Sequence, residues 1–281
     1  MIKSSVARLL LFLAVAIAIP GLGACNAIMD QAGAKVLTTG PNGPETPASV
    51  GLAFERLSIP SGPRRLDGYL VRADPGCIDP PALLIYHGLG ATISRLVKAQ
   101  RFLHDHCIAT LVFDYTGSGD SPRPASFTAV NADVPAAYEF ARRTFGPKAR
   151  LFVMGHSMGN APMLESLPRF SQPPQGIIVA SAFSSLRSST ARQPGFAVFA
   201  WVMPDVWNNI SAVRAVHGPL LVLHSDTDQI NPVKEGRDVF AVAHEPKSLI
   251  IVHGFTHNAP FNNPSEGWWG PVLQFMRDKA R

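Results

Sequence analysis

Charged residues and long apolar runs are both scarce in this sequence. Only 16% of the 281 residues are charged, while 46% are hydrophobic. This balance excludes a disordered acidic or basic protein and suits one large folded domain with a sizeable core. The formal net charge is +5 and no run of Lys and Arg occurs, so the sequence gives no indication of binding to nucleic acid.

An apolar run of 11 residues, Leu9–Ile19, lies near the N-terminus. The run is too short for a transmembrane helix, which needs about 20 residues. The basic residues Lys3 and Arg8 precede it, and residues 1–24 contain no acid. This pattern is typical of a secretory signal peptide, so we predict that residues 1–24 direct export.

Cysteine is also rare, and the first of the three cysteines follows this segment directly. Leu22-Gly23-Ala24-Cys25 resembles a bacterial lipobox. The resemblance implies cleavage before Cys25, lipidation of Cys25, and a membrane anchor that holds the exported protein to the bacterial cell envelope on the periplasmic side. The alternative is an ordinary signal peptide that is cleaved near Ala24 and leaves Cys25 free.

The stretch after this segment contains several residues that break regular structure. Gly40-Pro41-Asn42-Gly43-Pro44 and Pro47 interrupt any helix or strand. We predict a flexible tether over residues 25–52 and a folded domain over residues 53–281. In an oxidising compartment the domain's Cys77 and Cys107 suggest a disulfide, but two buried thiols fit the sequence equally well.

The folded part alternates between short apolar strands and helices. The predicted strands cover 53–59, 66–71, 82–86, 109–113, 151–154, 177–180, 220–223 and 249–252. The predicted helices cover 93–105, 129–145, 161–167, 233–241 and 268–279. Continuous apolar strands that alternate with helices predict an α/β fold, with a mostly parallel sheet covered by helices on both faces.

Reactive side chains follow four of these strands. They come in the segments His87-Gly88-Leu89-Gly90, Gly155-His156-Ser157-Met158-Gly159, His224-Ser225-Asp226-Thr227-Asp228 and His253-Gly254-Phe255-Thr256-His257. In such sheets reactive groups gather beyond the C-terminal ends of the strands. The chain order Ser, Asp, His is the order expected of an α/β-hydrolase.

Residues 53–278 resemble the α/β-hydrolases, and most closely the branch of monoacylglycerol lipases and serine aminopeptidases. The similar segments are YHGLG (86–90), FDYTGSGDS (113–121), GHSMGN (155–160), LLVLHSDTDQINP (220–232) and THN (256–258). The resemblance implies an eight-stranded sheet with a small helical cap. It also implies hydrolysis without a cofactor or a metal ion.

The resemblance assigns three catalytic roles. Ser157 would be the nucleophile, His257 the general base, and Asp228 the acid that orients His257. His253 is the alternative base and Asp226 is the alternative acid. No Asp or Glu occurs between Glu165 and Asp205, which excludes an acid placed after the strand at 177–180.

The oxyanion hole would be formed by two backbone N–H groups, those of Leu89 and Met158. Asn160 stands where many relatives have glycine, which bears on the packing of helix against strand rather than on the chemistry. His104-Asp105-His106 is typical of a solvated helix end rather than of a metal site, because no third ligand lies nearby in the sequence.

The fold implied by the resemblance also bears on the two remaining cysteines and on the longest insertion. Cys77 and Cys107 would both precede neighbouring parallel strands, which favours a disulfide between them. The insertion 184–218 would form the cap over Ser157. Its apolar residues either form an acyl-binding wall or pack the cap onto the sheet. These residues are Phe196, Val198, Phe199, Trp201, Val202, Met203 and Trp207.

The sequence therefore predicts a lipid-anchored serine hydrolase that cleaves a carboxylic ester or thioester through an acyl-enzyme. We expect a small-molecule ester as substrate, which could carry an acyl chain. A serine peptidase of the aminopeptidase type is the first alternative, because sequence does not separate amide from ester cleavage. A non-catalytic envelope lipoprotein with the same fold is the second.

Overall fold

The computed structural model describes residues 22–279, except the side chains of residues 22–26, 28, 199 and 202. The predicted signal sequence before Leu22 and the side chain of Cys25 therefore lie outside the described part. Within that part no helix is both long and apolar enough to cross a membrane.

An eight-stranded sheet forms the centre of the molecule. The strands are β1 Glu55–Ser61, β2 Arg64–Val71, β3 Ala82–Tyr86, β4 Ala109–Phe113, β5 Leu151–His156, β6 Gly176–Ala180, β7 Leu220–Ser225 and β8 Lys247–Val252. Their order in the sheet is β1-β2-β4-β3-β5-β6-β7-β8. Only the pairings of β1 with β2 and of β2 with β4 are antiparallel, which confirms the predicted eight-stranded, mostly parallel sheet.

Helices connect the strands and cover both faces of the sheet. They are α1 Leu22–Val36, α2 Val97–Asp105, α3 Phe127–Phe145, α4 Asn160–Ser166, α5 Leu186–Ala191, α6 Ala197–Val202, α7 Asn209–Val213, α8 Val233–Val242, α9 Ala259–Asn262 and α10 Glu266–Asp278. Short 3₁₀ turns occur at Pro47–Val50, Ile93–Leu96, Ser157–Gly159 and Leu167–Arg169.

The central strands are apolar at successive positions because both of their faces are buried. Leu84 and Tyr86 of β3 lie in one hydrophobic cluster, and Leu83 and Ile85 lie in the cluster on the opposite face. Side chains alternate between the two faces of a strand, so a strand covered on both sides is apolar at most positions. The buried Thr110 of β4 is an exception, and its hydroxyl accepts from Gln100 Nε2 at 2.9 Å. Burial on both faces is the physical reason why continuous apolar runs predicted the sheet correctly.

The segment 25–52 departs from the predicted flexible tether. Helix α1 packs Met29 and Ala32 into the core, and Leu37 follows them. Gly33 permits close contact with α3, since a Cβ at this position would lie 3.1 Å from the Phe127 ring. The sequence pattern of the segment is that of a linker, but its apolar side chains find a surface that only the folded domain provides.

A disulfide joins Cys77 and Cys107, whose Cα atoms are 5.7 Å apart. It links the segments that precede β3 and β4, which are parallel neighbours, at the edge of the sheet opposite the C-terminal strand ends. The bond closes a loop with a sequence separation of 30 residues. Closing such a loop stabilises a domain by about 2–4 kcal/mol.

The insertion 184–218 contains the short helices α5, α6 and α7. Trp207 lies in the core and Phe196 packs against it, so these two residues attach the insertion to the domain. Met203 is also buried. Val198 and Trp201 are instead 82% and 81% exposed. The side chains of Phe199 and Val202 lie outside the described part of the structure.

Candidate active site

A sharp turn after β5 presents Ser157. This residue has a φ of +55°, a left-handed conformation that non-glycine residues seldom adopt outside special sites. The turn also needs glycine on both sides. A Cβ on Gly159 would lie 2.1 Å from the Tyr86 carbonyl oxygen, and one on Gly155 would lie 2.6 Å from the Asn160 Cα.

Asn160, which stands where many relatives have glycine, fits the turn because its side chain makes two hydrogen bonds. Its side chain is fully buried. The Nδ2 group donates to the Ala180 carbonyl oxygen at 2.8 Å and to the Ser157 carbonyl oxygen at 3.0 Å. The amide thereby links the Ser157 turn to the neighbouring strand β6.

The segment after β3 lies against the Ser157 turn. A Cβ on Gly88 would lie 3.1 Å from the Ser157 Cβ and 3.3 Å from His156 Nδ1. Leu89, one predicted oxyanion donor, comes next and its side chain is 41% exposed. Met158, the other predicted donor, directly follows Ser157 in a 3₁₀ turn. The two predicted N–H groups therefore belong to segments in contact with each other.

Asp228 and His257 form a buried pair. His257 Nδ1 lies 2.7 Å from Asp228 Oδ2, and both residues are less than 10% exposed. Asp228 Oδ1 also accepts the backbone N–H groups of Ile230 and Asn231, each at 2.9 Å. These contacts fix the carboxylate, which in turn fixes the ring of His257.

His156 connects this pair to the Ser157 turn. Its Nε2–H donates to the His257 carbonyl oxygen at 2.9 Å, and the centroids of the two rings are 4.8 Å apart. Since His156 immediately precedes Ser157, the loop of His257 is attached to the turn that carries Ser157. The structure therefore brings Ser157, Asp228 and His257 to one end of the sheet.

Burial and charge set the protonation of these groups. Burial by itself raises the pKa of the Asp228 carboxyl, but the hydrogen bond and charge of His257, with the backbone amides of Asn231 and Ile230, lower this pKa below its ordinary value. Burial lowers the pKa of His156 to about 3, and His257 acts in the same direction. At neutral pH Asp228 is therefore ionised, and His156 is neutral.

The alternative acid and base, Asp226 and His253, form a pair of their own. His253 Nδ1 lies 2.7 Å from Asp226 Oδ2, and its side chain is 81% exposed. The hydrogen bond from His253 and the N–H of Gly254 lower the pKa of Asp226. This exposed pair is separate from the buried pair of Asp228 and His257.

Sequence reasoning missed a polar network behind the Leu89 segment. Asp114 Oδ1 accepts the Ile93 N–H at 3.0 Å and lies 3.4 Å from His87 Nε2, while Asp114 Oδ2 accepts from Asn42 Nδ2 at 2.8 Å. The position of Asp114 directly after β4 was a usable signal. Nothing in the sequence indicated Asn42, because it lies in the segment predicted to be a tether.

His104, His106 and Asn209 make hydrogen bonds that hold the fold together and lie apart from the candidate active site. His106 Nε2 lies 2.7 Å from Glu266, and His104 Nδ1 lies 2.9 Å from the Arg72 carbonyl oxygen. Across the part of the chain that the structure describes, no cluster of His, Cys, Asp and Glu could hold a metal ion. Asn209, which begins an Asn-x-Ser sequence, is fully buried and donates to the Phe183 carbonyl oxygen at 2.7 Å.

Known proteins resemble this chain in sequence. Residues 80–215 match the family model described as serine aminopeptidase, S33 (Hydrolase_4). An uncharacterized protein of Mycobacterium tuberculosis is 29% identical over 181 residues, which cover 64% of each chain. The lysophosphatidylserine lipase ABHD12 of Danio rerio is 26% identical over 187 residues, which cover 60% of this chain and 49% of the lipase. The chain thus spans between about half and two thirds of the length of these relatives.

A solved structure resembles the chain in fold. The esterase Pf2001 of Pyrococcus furiosus superposes with a TM-score of 0.71, covers 86% of this chain and 98% of its own, and is 17% identical in sequence. At this identity the similarity establishes the fold. The chain therefore has the α/β-hydrolase fold, and its residues 80–215 carry the sequence pattern of the serine aminopeptidase, S33 family of hydrolases.

Proposed function

We propose that this chain is a serine hydrolase that cleaves a carboxylic ester or thioester through an acyl-enzyme on Ser157. The observation that carries the proposal is the buried pair of Asp228 and His257, 2.7 Å apart, tied through His156 to the turn of Ser157. A serine hydroxyl is a weak nucleophile unless a base removes its proton. An oriented imidazole beside a left-handed serine turn provides such a base.

In the proposed reaction, the Ser157 hydroxyl oxygen attacks the carbonyl carbon while His257 takes the hydroxyl proton. Asp228 stabilises the resulting imidazolium and keeps its Nδ1–H directed at the carboxylate. The N–H groups of Leu89 and Met158 stabilise the oxyanion of the tetrahedral intermediate. When the intermediate collapses, the C–O or C–S bond breaks, and His257 protonates the leaving alcohol or thiol.

A water molecule then completes the cycle. His257 removes a proton from the water, the resulting hydroxide attacks the acyl-enzyme, and a second tetrahedral intermediate forms. Its collapse releases the carboxylic acid and returns the proton to Ser157. The known proteins that resemble the chain support this reaction class, since one is named as a lipase and one as an esterase.

A fluorophosphonate probe tests the proposal, because it reacts with activated serines. We expect wild-type protein and the Ser211→Ala control to be labelled, since Ser211 is an exposed serine of the insertion. The Ser157→Ala variant should lose all labelling. If folded wild-type protein is not labelled, the chain is not a serine hydrolase, and a non-catalytic lipoprotein becomes the better hypothesis.

A peptidase function is the second candidate, because the matching family model is described as serine aminopeptidase. Esters of increasing acyl length and amides with the same acyl groups separate the two candidates. We expect a higher kcat/KM for the esters. A higher kcat/KM for the amides, or for peptides with a free N-terminus, would replace the esterase proposal with the peptidase.

We also propose export and a lipid anchor on Cys25. The lipobox-like Leu22-Gly23-Ala24-Cys25 and the preceding apolar run support this proposal. In a bacterial host the full-length chain should partition into detergent and yield an acylated N-terminal peptide by mass spectrometry. A Cys25→Ser variant should move to the aqueous phase, and an unmodified Cys25 in the mature wild-type protein would contradict the anchor.

A further inference from the structure

We propose that a cavity beside the Leu89 segment binds an anionic group on the alcohol part of the substrate. This inference rests on the proposed function, because it names the class of ester that the site would accept. The cavity has a volume of about 680 Å³, which lies within the range of small-molecule sites. Its lining includes Gly90, Arg95, Lys98, Glu45 and Phe261.

The cavity adjoins the candidate active site on two sides. Gly90 directly follows Leu89, the predicted oxyanion donor. On the other side, the Phe261 ring packs edge-on against the His156 imidazole, with centroids 4.9 Å apart. His156 in turn precedes Ser157. The cavity thus begins one residue after the predicted oxyanion donor, and the proposal places in it the alcohol part of a substrate whose carbonyl lies at Ser157.

The charges that line the cavity favour an anion. Arg95 and Lys98 lie three positions apart, a spacing that puts two side chains on one face of a helix, and both are exposed. Among the described residues neither forms an ion pair. Glu45 is the carboxylate of the lining, so one positive charge remains in excess. Arg and Lys are the side chains that bind phosphate and carboxylate groups.

The polar side chains of the lining indicate which part of an ester substrate the cavity would hold. The charged groups of Arg95 and Lys98, which line the cavity, are exposed to water. An acyl chain would remove these groups from water without supplying hydrogen bonds, which costs free energy. A polar headgroup supplies partners for them, so the cavity suits the alcohol part of an ester.

The wall formed by residues 39–45 is held in place before any ligand binds. The Gly43 N–H donates to Ser94 Oγ at 2.9 Å, and Asn42 Nδ2 donates to Asp114 Oδ2 at 2.8 Å. The Thr39 N–H donates to the Gly117 carbonyl oxygen at 2.8 Å. A wall that is already ordered loses little entropy on binding, which favours affinity.

Binding to the inactive Ser157→Ala protein tests this inference without catalysis. The probes are 1-dodecanoylglycerol and 1-dodecanoylglycerol 3-phosphate, which share one acyl chain and differ in charge. We expect the phosphate ester to bind at least about tenfold more tightly, a difference typical of charged hydrogen bonds. Adding Arg95→Ala and Lys98→Ala should remove the difference and leave binding of the neutral ester unchanged.

Lys148→Ala is the control, because Lys148 is exposed and lies just before β5, at the edge of the sheet away from Ser157. It should leave both affinities unchanged. Equal affinity for the two esters, or a preference that survives loss of Arg95 and Lys98, overturns the inference. If the preference holds but the Ser157 protein hydrolyses neither ester nor any of the panel, the anion site stands and the proposed function fails.

Discussion

Asp226 and Asp228 carry the same side chain, follow the same strand and differ in their surroundings. Asp228 is buried and bonded to His257, whereas Asp226 lies at the surface with His253. A carboxylate held by backbone amides in a buried site keeps its charge and orients its partner ring. At the surface, solvent screens the charges of Asp226 and His253, and such an exposed ion pair contributes little free energy.

This contrast predicts opposite results for two matched variants. Asp228→Asn should lower kcat/KM for the best ester by about 10³- to 10⁴-fold, because the amide no longer favours the correct tautomer of His257. Asp226→Asn should leave kcat/KM within about twofold. Steady-state kinetics with each purified variant measures both effects. A large loss of kcat/KM in Asp226→Asn would show that the assignment of the acid to Asp228 is wrong.

The insertion is attached to the rest of the domain through a buried carboxylate on helix α8. Glu235 accepts the Ser184 N–H at 3.0 Å and the Ser188 hydroxyl at 2.9 Å, and it forms an ion pair with Arg192. All three partners belong to the insertion. The element therefore depends on Glu235 as well as on its own apolar residues.

Glu235→Gln should loosen the insertion, because an amide has one acceptor oxygen for these three donors. Loss of a charged hydrogen bond costs about 1.5–3 kcal/mol, which corresponds to about 10- to 150-fold more opening. Limited trypsin digestion should cleave faster at Arg187 or Arg192. Asp238→Asn on the same helix removes only an exposed ion pair with Lys234 and serves as the control; equal cleavage of both variants would contradict this role.

At the scale of the whole molecule, the stability of the fold is coupled to pH through buried histidines. Burial lowers the pKa of His156 to about 3 and also lowers the pKa of His224. Both rings bind a proton less readily in the folded protein than in the unfolded chain. The unfolded chain gains these protons below about pH 6.5, so the folded state loses stability as the pH falls from there. For His156 this loss continues down to about pH 3.

The free energy of unfolding should therefore decrease by up to about 1.4 kcal/mol per pH unit for each such histidine. His156→Gln keeps an amide donor for the His257 carbonyl oxygen but cannot titrate, so its stability should fall less steeply below pH 6. Urea unfolding at several pH values measures the slopes. His217→Gln, which changes an exposed histidine, should follow the wild-type slope, and parallel slopes for His156→Gln and wild type would contradict the coupling.

The sequence by itself determined the order of the elements and the chain order of Ser157, Asp228 and His257. Strands buried on both faces are apolar at most positions, and reactive groups of a parallel sheet gather beyond the C-terminal ends of its strands. Both signals are local, since they depend on the residues within each strand and directly after it. They predicted the eight-stranded sheet and the candidate site residues.

Only the tertiary structure decided which remote segments meet. The chain from 25 to 52 contains the breakers of a tether, yet Met29 packs into the core and Asn42 bonds Asp114. The pairing of Cys77 with Cys107, left open by the residues alone, also required the register of neighbouring strands. These contacts depend on surfaces contributed by residues far apart in the chain, and no local pattern of side chains specifies such a surface.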